Sequence, residues 1–277
     1  MATTKKYLVA LDDGHGMDTP GKRTPVFPEG SGLKSETGNY MHENEFNRAV
    51  VAKCKVHLER CGINVLLVAP TDADTPLQER TNLANSKGAD IYVSVHANAS
   101  TGTWGSAKGV ETYHYPGSTK GKKLAEAIHK RLIGGTKQVD RGVKEANYHV
   151  LRETKMPACL IEAAFMDNLE EAKLLLSDAF RIECAEEIAR GICDYLGVSY
   201  TEEAKTPNKT EQKEGDEKMV LSDYQWKMLG DAMKGFYDKG IITDKSWHEK
   251  AYSKSLTQSE IAWLMAIIAA RNAGVNV

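Results

Sequence analysis

The sequence predicts an α/β fold: a mostly parallel, twisted sheet flanked by helices on both faces, followed by a small all-α C-terminal domain. Three observations carry this. Up to residue 199, short apolar runs alternate with helical patterns, the order that builds a sheet covered on both sides. Several of those runs are near-continuously apolar, as strands buried on both faces are. Beyond residue 217 no strand pattern returns, and the chain reads as helix alone.

Strands are expected over 6–11, 63–69, 90–96, 110–115 and 158–163. Helices are expected over 44–60, 77–86, 119–132 and 168–196, the last broken near Ser177. Residues 200–217 contain no Leu, Ile, Val, Met, Phe or Trp and carry a net charge of −3. Such a segment buries too little apolar surface to offset its ordering entropy, and its like charges extend it. The expected organisation is therefore a domain over 1–199, a flexible linker over 200–217 and a helical domain over 218–277. In the last, Ser222 to Gln225 and Thr257 to Glu260 both fit a capping box, a shorter helix is expected over 244–251, and Gly274 is placed to end the final helix.

Composition narrows the function. The chain has 277 residues, 41% hydrophobic and 27% charged, with a net charge of −2. That balance suits an ordinary globular protein and lacks the basic field of a nucleic-acid binder. No apolar run is long enough to span a membrane, and the apolar stretch at 7–11 is too short for a secretory signal. Synthesis in the cytoplasm without a signal peptide is the expectation. Five cysteines show no metal spacing and an odd count, so free thiols packed as small hydrophobes are expected.

Two histidines stand at strand ends. His15 follows the first expected strand in Asp12-Asp13-Gly14-His15-Gly16, and His96 closes the third in Ser94-Val95-His96-Ala97-Asn98. Ligands of open α/β sheets collect at the carboxyl ends of the strands, and parallel strands bring both imidazoles to one edge. A carboxylate is available at the start of the first helix, from Glu43 or Glu45. Two histidines and one carboxylate, with a fourth position for water, make a catalytic zinc set; zinc lowers the pKa of that water toward ~7 and polarises a scissile carbonyl. Glu162 ends the apolar run Cys159-Leu160-Ile161, where a carboxylate is costly unless satisfied or functional. It suits a general base that passes a proton from water to a leaving amine. His114 and His149 are expected near the cleft; His57 and His129 fall within helices. The Gly- and Pro-rich segment 17–41 is expected to form a loop beside the cleft.

Four motifs in order carry a family resemblance over about residues 6–196: the Gly14-His15-Gly16 turn, Glu43-x-x-x-Asn47, Ser94-Val-His96-Ala-Asn98-Ala, and the block from Val150 through Glu162 to Asn168. Together they resemble the amidase_3 family of zinc N-acetylmuramoyl-L-alanine amidases. The resemblance implies Zn²⁺ as cofactor, with His15, Glu43 and His96 as its ligands and Glu162 as catalytic residue. It selects Glu43 over Glu45 because the family's asparagine follows the ligand by four positions, where Asn47 stands. It further implies bacterial peptidoglycan as substrate and action on the cell wall after release. A catalytic domain, polar linker and small C-terminal module look like a phage endolysin or a lytic amidase. Residues 218–277 have a net charge of +2 and three tryptophans, which suits contact with an anionic wall; the alternative is that Trp226, Trp247 and Trp263 form a helical core.

Overall fold

A computed structural model describes residues 6–202, 223–257, 260, 261, 263–265 and 268. Most of the expected linker, Ser222 of the first capping box and Gly274 lie outside the described residues. The chain divides into two compact units, Met1–Glu202 and Glu203–Val277.

In the first unit, six strands form one sheet: β1 (Leu8–Asp12), β2 (Asn64–Leu67), β3 (Ile91–Asn98), β4 (Val110–His114), β5 (Asp140–Glu145) and β6 (Ala158–Phe165), in the spatial order β2-β1-β3-β6-β4-β5. Strands β2, β1, β3 and β6 are mutually parallel, β4 is antiparallel to β6, and β5 is parallel to β4. Six helices belong to this unit: α1 (Glu43–Arg60), α2 (Leu77–Lys87), α3 (Thr119–Thr136), α4 (His149–Arg152), α5 (Leu169–Leu176) and α6 (Asp178–Leu196). The break near Ser177 falls between α5 and α6, where the Ser177 hydroxyl accepts from the Phe180 amide and caps α6.

The two-residue period of the strands explains the two cores. Val9, Leu11, Val93, Val95 and Ile161 face one side and pack with α1, α3 and α6. Their neighbours Ala10, Tyr92, Ala158 and Leu160 face the other, with residues of α2 and α4. The helices α3 and α6 approach closely at Gly191, where a Cβ would lie 2.5 Å from the Ile128 Cα. Cys54, Cys159, Cys184 and Cys193 are buried and all five thiols are free.

Two elements lie outside the sequence expectation, β5 and α4. The direction of β4 also corrects one placement. Because β4 runs antiparallel to β6, its carboxyl end carries His114 away from the edge that holds His15 and His96. His114 is buried there, with its Nδ1 2.9 Å from the Tyr115 carbonyl. The same reversal brings the start of β4, at Glu111, beside Glu162.

The first unit runs three residues past the expected boundary at 199. Tyr200 is held by Arg190, whose guanidinium lies 4.1 Å from its ring centroid, and by His57, whose Nδ1 is 2.6 Å from its hydroxyl. Arg190 also pairs with Glu202. One aromatic ring stacked under the Arg190 guanidinium anchors a segment whose composition is otherwise that of a linker.

The second unit contains α7 (Asp223–Asp238) and α8 (Ser246–Tyr252) around a core that includes Trp226, Met233, Ala251 and Leu264. Thr257 and Glu260 form the reciprocal pair expected of a capping box: the Glu260 carboxylate accepts from the Thr257 amide at 3.0 Å, and the Thr257 hydroxyl accepts from the Glu260 amide at 3.3 Å. Trp226 is buried and Trp247 partly so, whereas Trp263 is 58% exposed.

Candidate active site

The carboxyl ends of β1, β3 and β6 meet at one edge, on the face covered by α2 and α4. A cleft of about 860 Å³ opens there, lined by His15, Glu43, His96 and Glu162, and by Pro20–Lys22 of the 17–41 loop. His15, Glu43 and His96 each offer a ligand atom, all within 4.8 Å of one another. Glu43 Oε2 lies 3.4 Å from His15 Nε2 and Glu43 Oε1 lies 2.8 Å from His96 Nδ1. The two rings meet edge to face, centroids 4.9 Å apart.

Local sequence explains this convergence. His15 has φ 64°, a left-handed conformation that costs a non-glycine residue on the order of 1–2 kcal/mol. Fixed hydrogen bonds hold it. The Asn44 amide donates to the carbonyls of Asp13, Gly14 and His15, and the Asn47 amide to that of Gly14. Arg80, 1% exposed, donates to the His15 carbonyl at 2.9 Å and pairs with Asp12 at 2.5 Å and Asp74 at 2.8 Å. Breaking such a buried pair from one side costs about 3–5 kcal/mol. Gly14 has no side-chain substitute: a Cβ there would lie 2.1 Å from the His96 ring. His96 is therefore packed directly on the turn that presents His15.

Glu43 and Glu45 separate cleanly. Glu43 is buried in the cluster, where it also accepts from the Asn47 amide at 3.3 Å and the Ala97 amide at 3.3 Å. Glu45 turns back to accept from the His42 amide at 2.8 Å and the Thr37 hydroxyl at 3.0 Å. Its work is capping α1.

Glu162 is the register partner of His96 across β3 and β6, and of Glu111 across β6 and β4. The two glutamates sit in opposite environments. Burial alone would raise Glu111, but hydrogen bonds from Lys144, Tyr113 and Arg141 outweigh it and hold this carboxyl at about 2. Burial pushes Glu162 up, to about 8, and its Oε2 is buried without a hydrogen-bond partner among the described residues. Adjacent carboxyls whose environments drive them apart are an acid/base signature. Burial lowers His15 to about 4, which keeps its imidazole neutral at pH 7, the form that ligates metals.

His149 lines the cleft and His114 does not. His129 is bound to Thr112 and Asp140 outside the cleft. Sequence reading missed Arg80 and Asn44, which fix the turn, and Glu111, which flanks Glu162. The Asp12-Asp13 doublet is the one sequence signal that a buried cation waits nearby.

This fold and this edge define a hydrolase built on an α/β sheet, with a compact His-Glu-His candidate metal centre and a carboxyl beside it. Residues 9–194 match the family described as Amidase_3: N-acetylmuramoyl-L-alanine amidase, and the chain belongs to that family. It is 37% identical over 224 residues to the endolysin of Bacillus phage SPP1, covering 77% of this chain and 75% of that protein. It is 35% identical to N-acetylmuramoyl-L-alanine amidase CwlM of Bacillus licheniformis, covering 69% and 68%. The crystal structure of an N-acetylmuramoyl-L-alanine amidase from Clostridium difficile 630 superposes with a TM-score of 0.60 at 32% identity, covering 70% of this chain and 98% of that one.

Proposed function

We propose that the chain hydrolyses the amide between N-acetylmuramic acid and the L-alanine of the peptidoglycan stem at a zinc centre held by His15, Glu43 and His96, with Glu162 as general acid and base. The observation that carries this is the convergence of three ligand atoms beside Glu162, whose Oε2 is buried with no hydrogen-bond partner among the described residues.

The donor set fits zinc. Two imidazole nitrogens and a carboxylate leave a fourth position open, as in catalytic zinc sites. The three candidate ligand atoms lie within 4.8 Å of one another, close enough for His15, Glu43 and His96 to hold one ion. When bound, zinc supplies Lewis acidity for the scissile carbonyl and for the attacking water. A divalent cation at this centre also opposes the upward push that burial gives Glu162. Glu162 takes a proton from the attacking water and returns it to the departing alanine nitrogen. Glu111 is bound by two cations and a phenol and does not share this duty. Arg80, Asn44 and Asn47 keep His15 and Glu43 oriented.

Mass spectrometry of digested peptidoglycan tests the reading. The expected products are stem peptides with a new N-terminal alanine and intact glycan. Activity is lost on chelation and restored by zinc. Release of acetate or of new reducing ends contradicts the assignment.

The second unit is proposed to contact the wall. Trp263 presents an exposed ring 5.5 Å from that of Trp247, with Lys250 above the latter. Tethering such a surface to a catalytic unit raises local concentration at the wall. A fragment ending at Glu202 is expected to stay folded and hydrolyse purified muropeptides like the full chain, while sedimenting with intact walls more weakly. Equal sedimentation contradicts a wall-binding role for the second unit.

Among the described residues, no helix is long and apolar enough to cross a membrane.

A further inference from the structure

The cleft lining contains two permanently charged cations among the described residues, Lys22 and Arg80. They are used differently. Arg80 is consumed by Asp12, Asp74 and the carbonyls of Thr75 and His15. Lys22 is exposed, and its ammonium has no ion pair or hydrogen bond among the described residues. Its place is nonetheless fixed. The Lys22 carbonyl accepts from the Glu43 amide at 2.9 Å, and the adjoining Arg23 and His42 form an antiparallel bridge. The backbone thus places this lysine directly beside Glu43, at the mouth of the catalytic edge. Its positive charge is felt at His15, Glu43 and Glu162.

A free ammonium over an otherwise acidic cleft suits an anionic part of the substrate. In peptidoglycan the peptide side of the scissile amide supplies one: the stem residue after L-alanine bears a carboxyl that is free in some walls and amidated in others. The sugar side is neutral near the bond. We propose that Lys22 is a specificity-determining residue whose ammonium binds this free carboxylate, and so makes the enzyme discriminate between free and amidated stems. The proposal rests on the amidase reading above. A charged contact of this kind is stronger than its neutral counterpart, because the carboxamide offers Lys22 a dipole in place of a full charge.

Two muropeptides that differ only in whether that carboxyl is free or amidated provide the test. The wild-type chain, loaded with zinc, is expected to show kcat/KM about tenfold or more higher on the free form, by the usual strength of charged hydrogen bonds. Lys22→Met is expected to bring the ratio of the two kcat/KM values near one, chiefly through KM on the free form, with zinc content unchanged. Lys22→Arg is expected to keep most of the preference. The proposal is overturned if the wild-type chain does not discriminate, if Lys22→Met lowers both substrates equally, or if that variant loses zinc. Cleavage of neither muropeptide by the wild-type chain would overturn the amidase reading, and the proposal with it.

Discussion

Glu162→Gln is expected to keep fold and zinc while losing at least about a hundredfold in turnover, the lower part of the range for general acid–base catalysis. The structure gives the reason. Glu162 neighbours His96 across the β3–β6 ladder, and its Oε2 has no hydrogen-bond partner among the described residues. No hydrogen bond to Oε2 is lost, so an uncharged isostere of the same shape leaves the packing alone. What it removes is the capacity to take a proton from water and hand it to alanine nitrogen. The measurements are zinc content, thermal melting and turnover on one preparation. Near-normal turnover would pass the proton to another group, with His149 of the lining the next to examine. Lost zinc would make Glu162 a ligand and displace one of the three assigned.

The second large effect separates neighbours two residues apart. Glu43→Ala removes the single carboxylate of the cluster and leaves two imidazoles. The variant is expected to lose stoichiometric zinc and, with it, the several kcal/mol that a Lewis acid contributes to the transition state. Activity should fall to background. Glu45→Ala instead removes the acceptor for the His42 amide and the Thr37 hydroxyl. Loss of such a cap costs about 1 kcal/mol, which lowers Tm by roughly 2–4 °C in a domain of this size. Zinc and most activity should remain. The reverse pattern would place the ligand at Glu45.

That contrast also marks how far the sequence reached. His15, His96 and Glu162 could be singled out because each lies at or just beyond the end of an apolar run, and parallel strands bring such ends together. Glu43 and Glu45 were indistinguishable by residue type, and the asparagine spacing of a known family chose between them. The geometric reason appears only in three dimensions, where Asn47 holds both Glu43 and the Gly14 carbonyl. Arg80 was invisible for a related cause. In sequence it is one polar residue of an amphipathic helix; in space it is a buried clamp on β1.

The missed strand β5 has the sequence Asp140-Arg-Gly-Val-Lys-Glu145, with no apolar alternation. It is an edge strand, and Arg141 and Lys144 are spent on Glu111 of the neighbouring strand. Its charges are the reason that it escaped a hydrophobicity reading. The reversal of β4 had a faint signal: no helix separates β3 from β4, only residues 99–109, whereas a connection that returns the chain parallel in the same sheet usually carries a longer crossover. That reversal places Glu111, and not His114, beside the catalytic edge.

One zinc ion is expected between His15, Glu43 and His96, with Glu162 outside its coordination shell. Anomalous diffraction at the zinc absorption edge, from crystals of the full chain with one equivalent of zinc, tests it directly. The expected result is one anomalous peak about 2.0–2.2 Å from an imidazole nitrogen of His15, one of His96 and a carboxylate oxygen of Glu43. A peak elsewhere, or one within bonding distance of Glu162, would contradict it.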